Sequence, residues 1–129
     1  MPLEPMEIAV LQKLLDGQGP ILEVLRHQLF GLLVKARKKT GVGFFTDFLP
    51  TAIARPAQNI PLNIRFGDVH ATINGLKHGA GFLLYVDNGF IHRLEGYSYD
   101  EPWPDHVTDF SLRYSDPDRK AELAKLALR

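Results

Sequence analysis

The chain contains no cysteine, which excludes disulfides and thiolate metal ligands and fits a reducing compartment. Long apolar runs are also missing. The longest are a few residues, against the roughly 18 that read as a membrane span. A secretory leader is not expected, because Glu4 and Glu7 stand where its apolar core would lie. Charge of one sign is not in excess either: 15 basic and 15 acidic residues give a formal net charge of zero, so no global field gathers nucleic acid or anionic membrane. Repeats and low-complexity segments do not occur. These absences lead to the expectation of a soluble, cytoplasmic protein with no membrane association.

What is present suffices for one core. A chain of 129 residues buries roughly two-thirds of the surface its unfolded form exposes, and residues 1–129 are expected to form a single α+β domain. Neutrality hides a polarity along the chain. Between Arg26 and Arg55 six basic residues face one acid, Asp47, whereas between Asp87 and Asp109 six acids face one base, Arg93. Such asymmetry either solvates two surfaces or marks partners.

Two helices open the chain. Pro5 to Leu15 carries Ile8, Leu11, Leu14 and Leu15 toward a core, with proline near the start and Gly17 as the stop. A second helix from Pro20 presents Ile21, Leu22, Leu25 and Leu29. Leu33 to Thr40 then alternates, Val34 and Ala36 against Lys35 and Arg37, and reads as a strand. One long helix from Ile21 to Lys39 is the alternative. Gly41 leads into a partner strand in which Val42, Phe44, Thr46 and Phe48 share a face. Pro50, Pro56 and Pro61 mark a long loop.

Alternation returns from Ile64 to Asn74. Phe82 to Val86 is apolar on both faces and is expected at the sheet centre. Asn88-Gly89 is the strongest hairpin signal in the chain, joining that strand to Phe90–Tyr99. In that partner Phe90 and Leu94 are expected on one face and Arg93, Glu95 and Tyr97 on the other, with Gly96 at a bulge or a close contact. A last strand spans Phe110, Leu112 and Tyr114. Asp116 is expected to cap a final helix with Pro117 at its first position and an apolar stripe of Leu123, Ala124, Ala127 and Leu128.

No motif dictates a chemistry. The five histidines are scattered without helical ligand spacing, the three serines sit on no strand-to-helix elbow, and neither glycine pair opens a helix. No metal, no cofactor and no catalytic residue is therefore assigned. Three uses of the surface remain. Glu95 could converge with Asp68, Asp100 or Glu101 as paired carboxylates of a small hydrolase. The strand Lys35–Lys39, with Phe44 and Phe45, could hold nucleic acid, although a lysine-rich strand also serves to guard a sheet edge. Tyr97, Tyr99 and Trp103 among Asp100, Glu101 and Asp105 have the composition of an interface anchor, stiffened by Pro102 and Pro104; the same residues could instead clamp a crossover onto the sheet edge.

The segments G-V-G-F-F-T-D-F (41–48) and G-A-G-F-L-L-Y-V-D-N-G-F-I-H-R-L-E-G-Y-S-Y-D-E-P-W-P (79–104) resemble a group of small uncharacterised bacterial proteins of about this length. The second is also similar to the G-x-(hydrophobic)-x-x-L-E-x-Y element of some immunity-like proteins, which bind and neutralise a toxin. The resemblance implies no transferable catalytic role. The expected architecture is two N-terminal helices on a mainly antiparallel sheet of five or six strands, closed by a C-terminal helix. The expected function is non-catalytic protein binding, immunity-like in kind, through Glu95, Tyr97, Tyr99, Asp100, Glu101 and Trp103, with a protein partner or a second copy as ligand.

Overall fold

The computed structural model describes residues 1–127. Helices α1 (Pro5–Leu14) and α2 (Pro20–His27) each begin on proline, where the missing N–H is one that a helix leaves unpaired. Strands β1 (Leu33–Lys39), β2 (Gly43–Leu49), β3 (Asn63–Phe66), β4 (Val69–Ile73), β5 (Ala80–Asp87), β6 (Phe90–Ser98) and β7 (Phe110–Tyr114) come next, then a short helix α3 (Lys120–Leu123) that tightens into a 3-10 turn. All strand pairs are antiparallel. Their order is β1-β2-β6-β5-β4-β7, with β3 also on β5. The expected α+β fold is present, and both helices lie where the proline and glycine signals put them. No described helix is long and apolar enough to cross a membrane.

Among the described residues the sheet has seven strands, because the run expected as one strand, Ile64–Asn74, is broken at Gly67-Asp68. Opposite β5 the pairing slips by one residue between Phe66↔Leu84 and His70↔Gly81. Gly67 can sit there only because it has no side chain; a Cβ would overlap the Phe82 carbonyl. Asp68 turns inward and meets Arg119 at 2.6 and 3.0 Å. The same guanidinium donates to the Leu14 and Asp16 carbonyls at the end of α1 and lies 4.2 Å from the Tyr114 ring centre.

Two further bulges shift the phase of strands that look regular in sequence. Lys35 is extra in β1, so Val34 is buried while Ala36 faces Asp47 on the opposite side. His92 is extra in β6, so Ile91 and Leu94 share the core face, and the expected pairing of Phe90 with Leu94 does not occur. Around Asn88 and Gly89, at φ 52° and 82°, the turn is the tight two-residue form that the hairpin signal predicts. Gly96 is a close contact and not a bulge: the Phe44 ring occupies the space of its missing side chain.

Helices α1 and α2 cover one face of the sheet. Val10, Leu11, Leu14 and Leu25 are fully buried against Phe66, Phe82, Leu84 and Leu94. Ile8, expected in this core, is 41% exposed. Glu7 goes in instead. Its carboxylate accepts from Arg37 Nη2 at 2.6 Å, Arg37 Nε at 3.1 Å, Thr46 Oγ1 at 2.6 Å and the Glu4 N–H at 2.7 Å, which offsets the cost of removing a charge from water. Gln28 is buried just as completely. Its amide donates to the carbonyls of Arg55 and Gly89, and its oxygen accepts from the Ile91 N–H, each at 2.8 Å. One side chain thus joins α2, the long loop and the β5–β6 turn.

At the C-terminus, Asp116 and Asp118 accept from the N–H groups two residues on, at 3.0 Å each. These turns hold the chain out of a helix until Lys120, so Asp116 does not cap a helix that starts at Pro117. Leu126 is buried, while Leu128 of the expected stripe lies outside the described residues.

Burial pushes the Glu7 carboxyl up, but the hydrogen bonds from Arg37, the Glu4 amide and Thr46 outweigh it and hold the pKa below its ordinary 4.5. A depressed carboxyl contributes stability above its unfolded pKa and loses it as pH falls through the folded value. Glu7→Gln should therefore cost about 3 kcal/mol at neutral pH and flatten the loss of stability on acidification below 4.5, as tracked by urea unfolding; an acid limb as steep as in the wild type would contradict this.

Candidate functional site

With both helices on one face, the other face of the sheet is left to side chains alone. β6 runs through its middle, and strand registry sets three rows across it. Asp47, Arg93, Tyr85 and Arg65 form the first, Phe45, Glu95 and Leu83 the second, and Gly43, Tyr97, Gly81 and His70 the third. Alternation sends all these side chains outward, since their strand neighbours Thr46, Leu84 and Leu94 are buried.

The first two rows are locked together. Arg93 grips Asp47 through two bonds, at 2.5 and 3.2 Å, while its guanidinium lies 4.8 Å from the Phe45 ring and 5.9 Å from that of Tyr85. Its hydrogen bonds hold the Asp47 carboxyl below its usual range. Tyr85 is flanked on its other side by Arg65 at 5.6 Å, and its hydroxyl donates to Glu95 at 2.7 Å. Rotamers fixed in this way lose little entropy when a partner covers them.

The third row is aromatic. Tyr97 stands between two glycines, and its ring fills the space above Gly81. Burial pushes the Tyr97 hydroxyl up, with Tyr99 adding to it. Tyr99 meets Tyr97 edge-on at 5.9 Å and stacks on His70 at 5.7 Å, with 46% of its surface exposed. Partial burial, and then Arg113, disfavour a charged His70.

The six residues singled out from the sequence are thus divided. Glu95, Tyr97 and Tyr99 share the outer face. Asp100 makes the exit turn, at φ 63°. Glu101 accepts from the N–H groups of Lys77 and His78 at 2.7 and 2.9 Å, tying the exit to the β4–β5 turn; those two amides hold its carboxyl low. Trp103 packs edge-on against Phe44 at 5.3 Å, and its backbone N–H donates to the Gly41 carbonyl at 2.9 Å. The last two close the end of the sheet.

Three of the four carboxylates considered together from sequence are engaged apart: Asp68 by Arg119, Glu95 by Tyr85 and Glu101 by backbone. Among the described residues no group of three His, Asp or Glu is placed to hold a metal. In the basic strand, Arg37 is taken up by Glu7, and Phe44 and Phe45, being adjacent, point to opposite faces. A groove of about 500 Å³ between α1 and α2, lined by Ile8, Leu11, Leu29 and Phe30 with Arg26 and His27, contains none of the six.

Sequence reading put Arg93 on one face with Glu95 and Tyr97 but missed Phe45, Asp47, Tyr85 and His70 as members of the same surface. The available signal was the hairpin register counted outward from Asn88-Gly89, but the extra residue His92 displaces it by one.

Trp103→Ala should lower stability by about 2 kcal/mol, below the 3–5 of a fully buried ring, because the side chain is half-buried. A variant with unchanged urea unfolding would show that Trp103 does not hold the sheet end. Comparisons of the chain with protein-family models, with curated proteins and with solved structures found no match.

Proposed function

We propose that this chain is a non-catalytic protein-binding domain whose contact surface is the outer face of the sheet, centred on Glu95, Tyr97 and Tyr99. One observation carries the reading. Aromatic rings and a ring-flanked Arg93 stand half-exposed on a rigid central strand pair, where no described helix covers them. Rings and arginines with fixed rotamers are the groups that supply most of the energy at protein interfaces. The mixed charges of the face, Asp47, Glu95, Arg65 and Arg93, favour a partner of mixed charge over a polyanion. Paired-acid catalysis is not adopted, because Glu95, Glu101 and Asp68 already serve structural donors. The similarity to immunity-like proteins makes a toxin the first partner class to try.

The test is capture from the lysate of the source cell by wild type, Tyr99→Ala and Arg93→Ala. Arg93→Ala also releases Asp47, so its folding is checked separately by thermal melting. A partner held by wild type and weakened at least about tenfold by Tyr99→Ala, at a loss of about 1.4 kcal/mol, supports the reading. Equal capture by all folded variants, or no capture, would overturn it.

A further inference from the structure

The two edges of the sheet are treated differently. β1 is guarded: it is bulged at Lys35, carries Lys35, Lys38 and Lys39, and its Val34 is already paired with Met1, with N–H to O at 2.8 Å. These are the devices by which proteins prevent strand addition. β7, F-S-L-R-Y, has none of them. It is straight against β4, from Val69↔Tyr114 to Ile73↔Phe110, and Arg113 is its one charge.

Hydrogen-bond parity shows which groups β7 leaves open. Asn74 N–H bonds to the Asp109 carbonyl and Ser115 N–H to that of Asp68, at 3.2 and 2.7 Å. Odd-numbered residues therefore face β4, and the N–H and C=O groups of Phe110, Leu112 and Tyr114 face away. Among the described residues these outward groups have no bonding partner on that side.

We propose that a second copy of this chain pairs here, β7 against β7, antiparallel about a twofold axis at Leu112. That register matches Leu112 with Leu112, and Phe110 with Tyr114 of the second copy. All three outward N–H groups and all three outward carbonyls are used in it. It also opposes Ser111 to Arg113, so no like charges meet. Moving the axis one residue to Arg113 would oppose the two arginines and leave Phe110 unpaired; moving it to Ser111 would leave Tyr114 opposite Thr108, beyond the strand. Phe110, Leu112 and Tyr114 are half-buried against the core, and each would meet an apolar side chain across the seam. The contact is isologous, as a closed dimer requires. It continues the sheet from one copy to the other and brings the outer face of each, through Arg113 and His70, to the seam. It rests on the sheet edge and is independent of the outer-face reading.

Five paired residues make a small interface, below about 1,200 Å², so association is weak and concentration-dependent. Sedimentation of the full chain over a series up to about 1 mM should show a monomer–dimer equilibrium. Leu112→Pro removes the central outward N–H without touching the β4 ladder, and should weaken the dimer at least about tenfold while thermal melting stays cooperative. Because the chain has no cysteine, Leu112→Cys provides a second readout. Its self-pairing at about 5.5 Å between Cα atoms puts the two thiols within reach of a short thiol-reactive crosslinker, which should join it much faster than Ser111→Cys, which faces Arg113. A wild type that stays monomeric throughout, or equal crosslinking of the two cysteine variants, would overturn the proposal.

Discussion

Burying the Glu7 carboxylate commits α1 to one face of the sheet. A charge with almost no access to water is tolerable only when its oxygens are fully bonded, and the required donors, Arg37 and Thr46, lie on neighbouring strands β1 and β2. The helix can therefore sit in one position, with Val10, Leu11 and Leu14 in the core. Gln28 does the same for α2 and Arg119 for the C-terminal segment. Three polar side chains, each bridging elements distant in sequence, decide which face is covered. The other face is open as a consequence.

That open face is ordered within the chain itself. The Asp47–Arg93 pair, the rings of Phe45 and Tyr85 beside it, and the Tyr85–Glu95 hydrogen bond hold long side chains in single positions. Freezing them is part of folding and need not be repeated on binding. Meanwhile Glu101 and Trp103 fasten the loop after β6 to the turn before β5 and to Phe44, which keeps Tyr97 and Tyr99 at the end of a rigid strand. The acidic and aromatic exit segment thus combines a clamp with a surface.

Local chemistry was legible in the sequence wherever one residue type determines the backbone. The prolines at both helix starts, the Asn88-Gly89 turn and the position of β5 at the centre of the sheet could all be read from patterns within a few residues. Bulges could not. Lys35 and His92 each break a period of two without any compositional mark, and each reverses the faces of the residues beyond it. The buried polar bridges were illegible for a related reason: Glu7 and Gln28 look like surface residues until partners 30 and 63 positions away are known. Half of the candidate site was found from its aromatic composition, while the half on β2, β4 and β5 depends on registry that the bulge had displaced.

Binding through the open sheet face requires that this face, and not the helical one, meet the partner. A photo-crosslinking residue placed at Leu83, in the middle row of the outer face, should yield a covalent adduct with another protein in the source cell, while the same residue at Gln12, on the helical side, should not. Adducts from Gln12 alone, or from both positions alike, would contradict the assignment of the open sheet face as the binding surface.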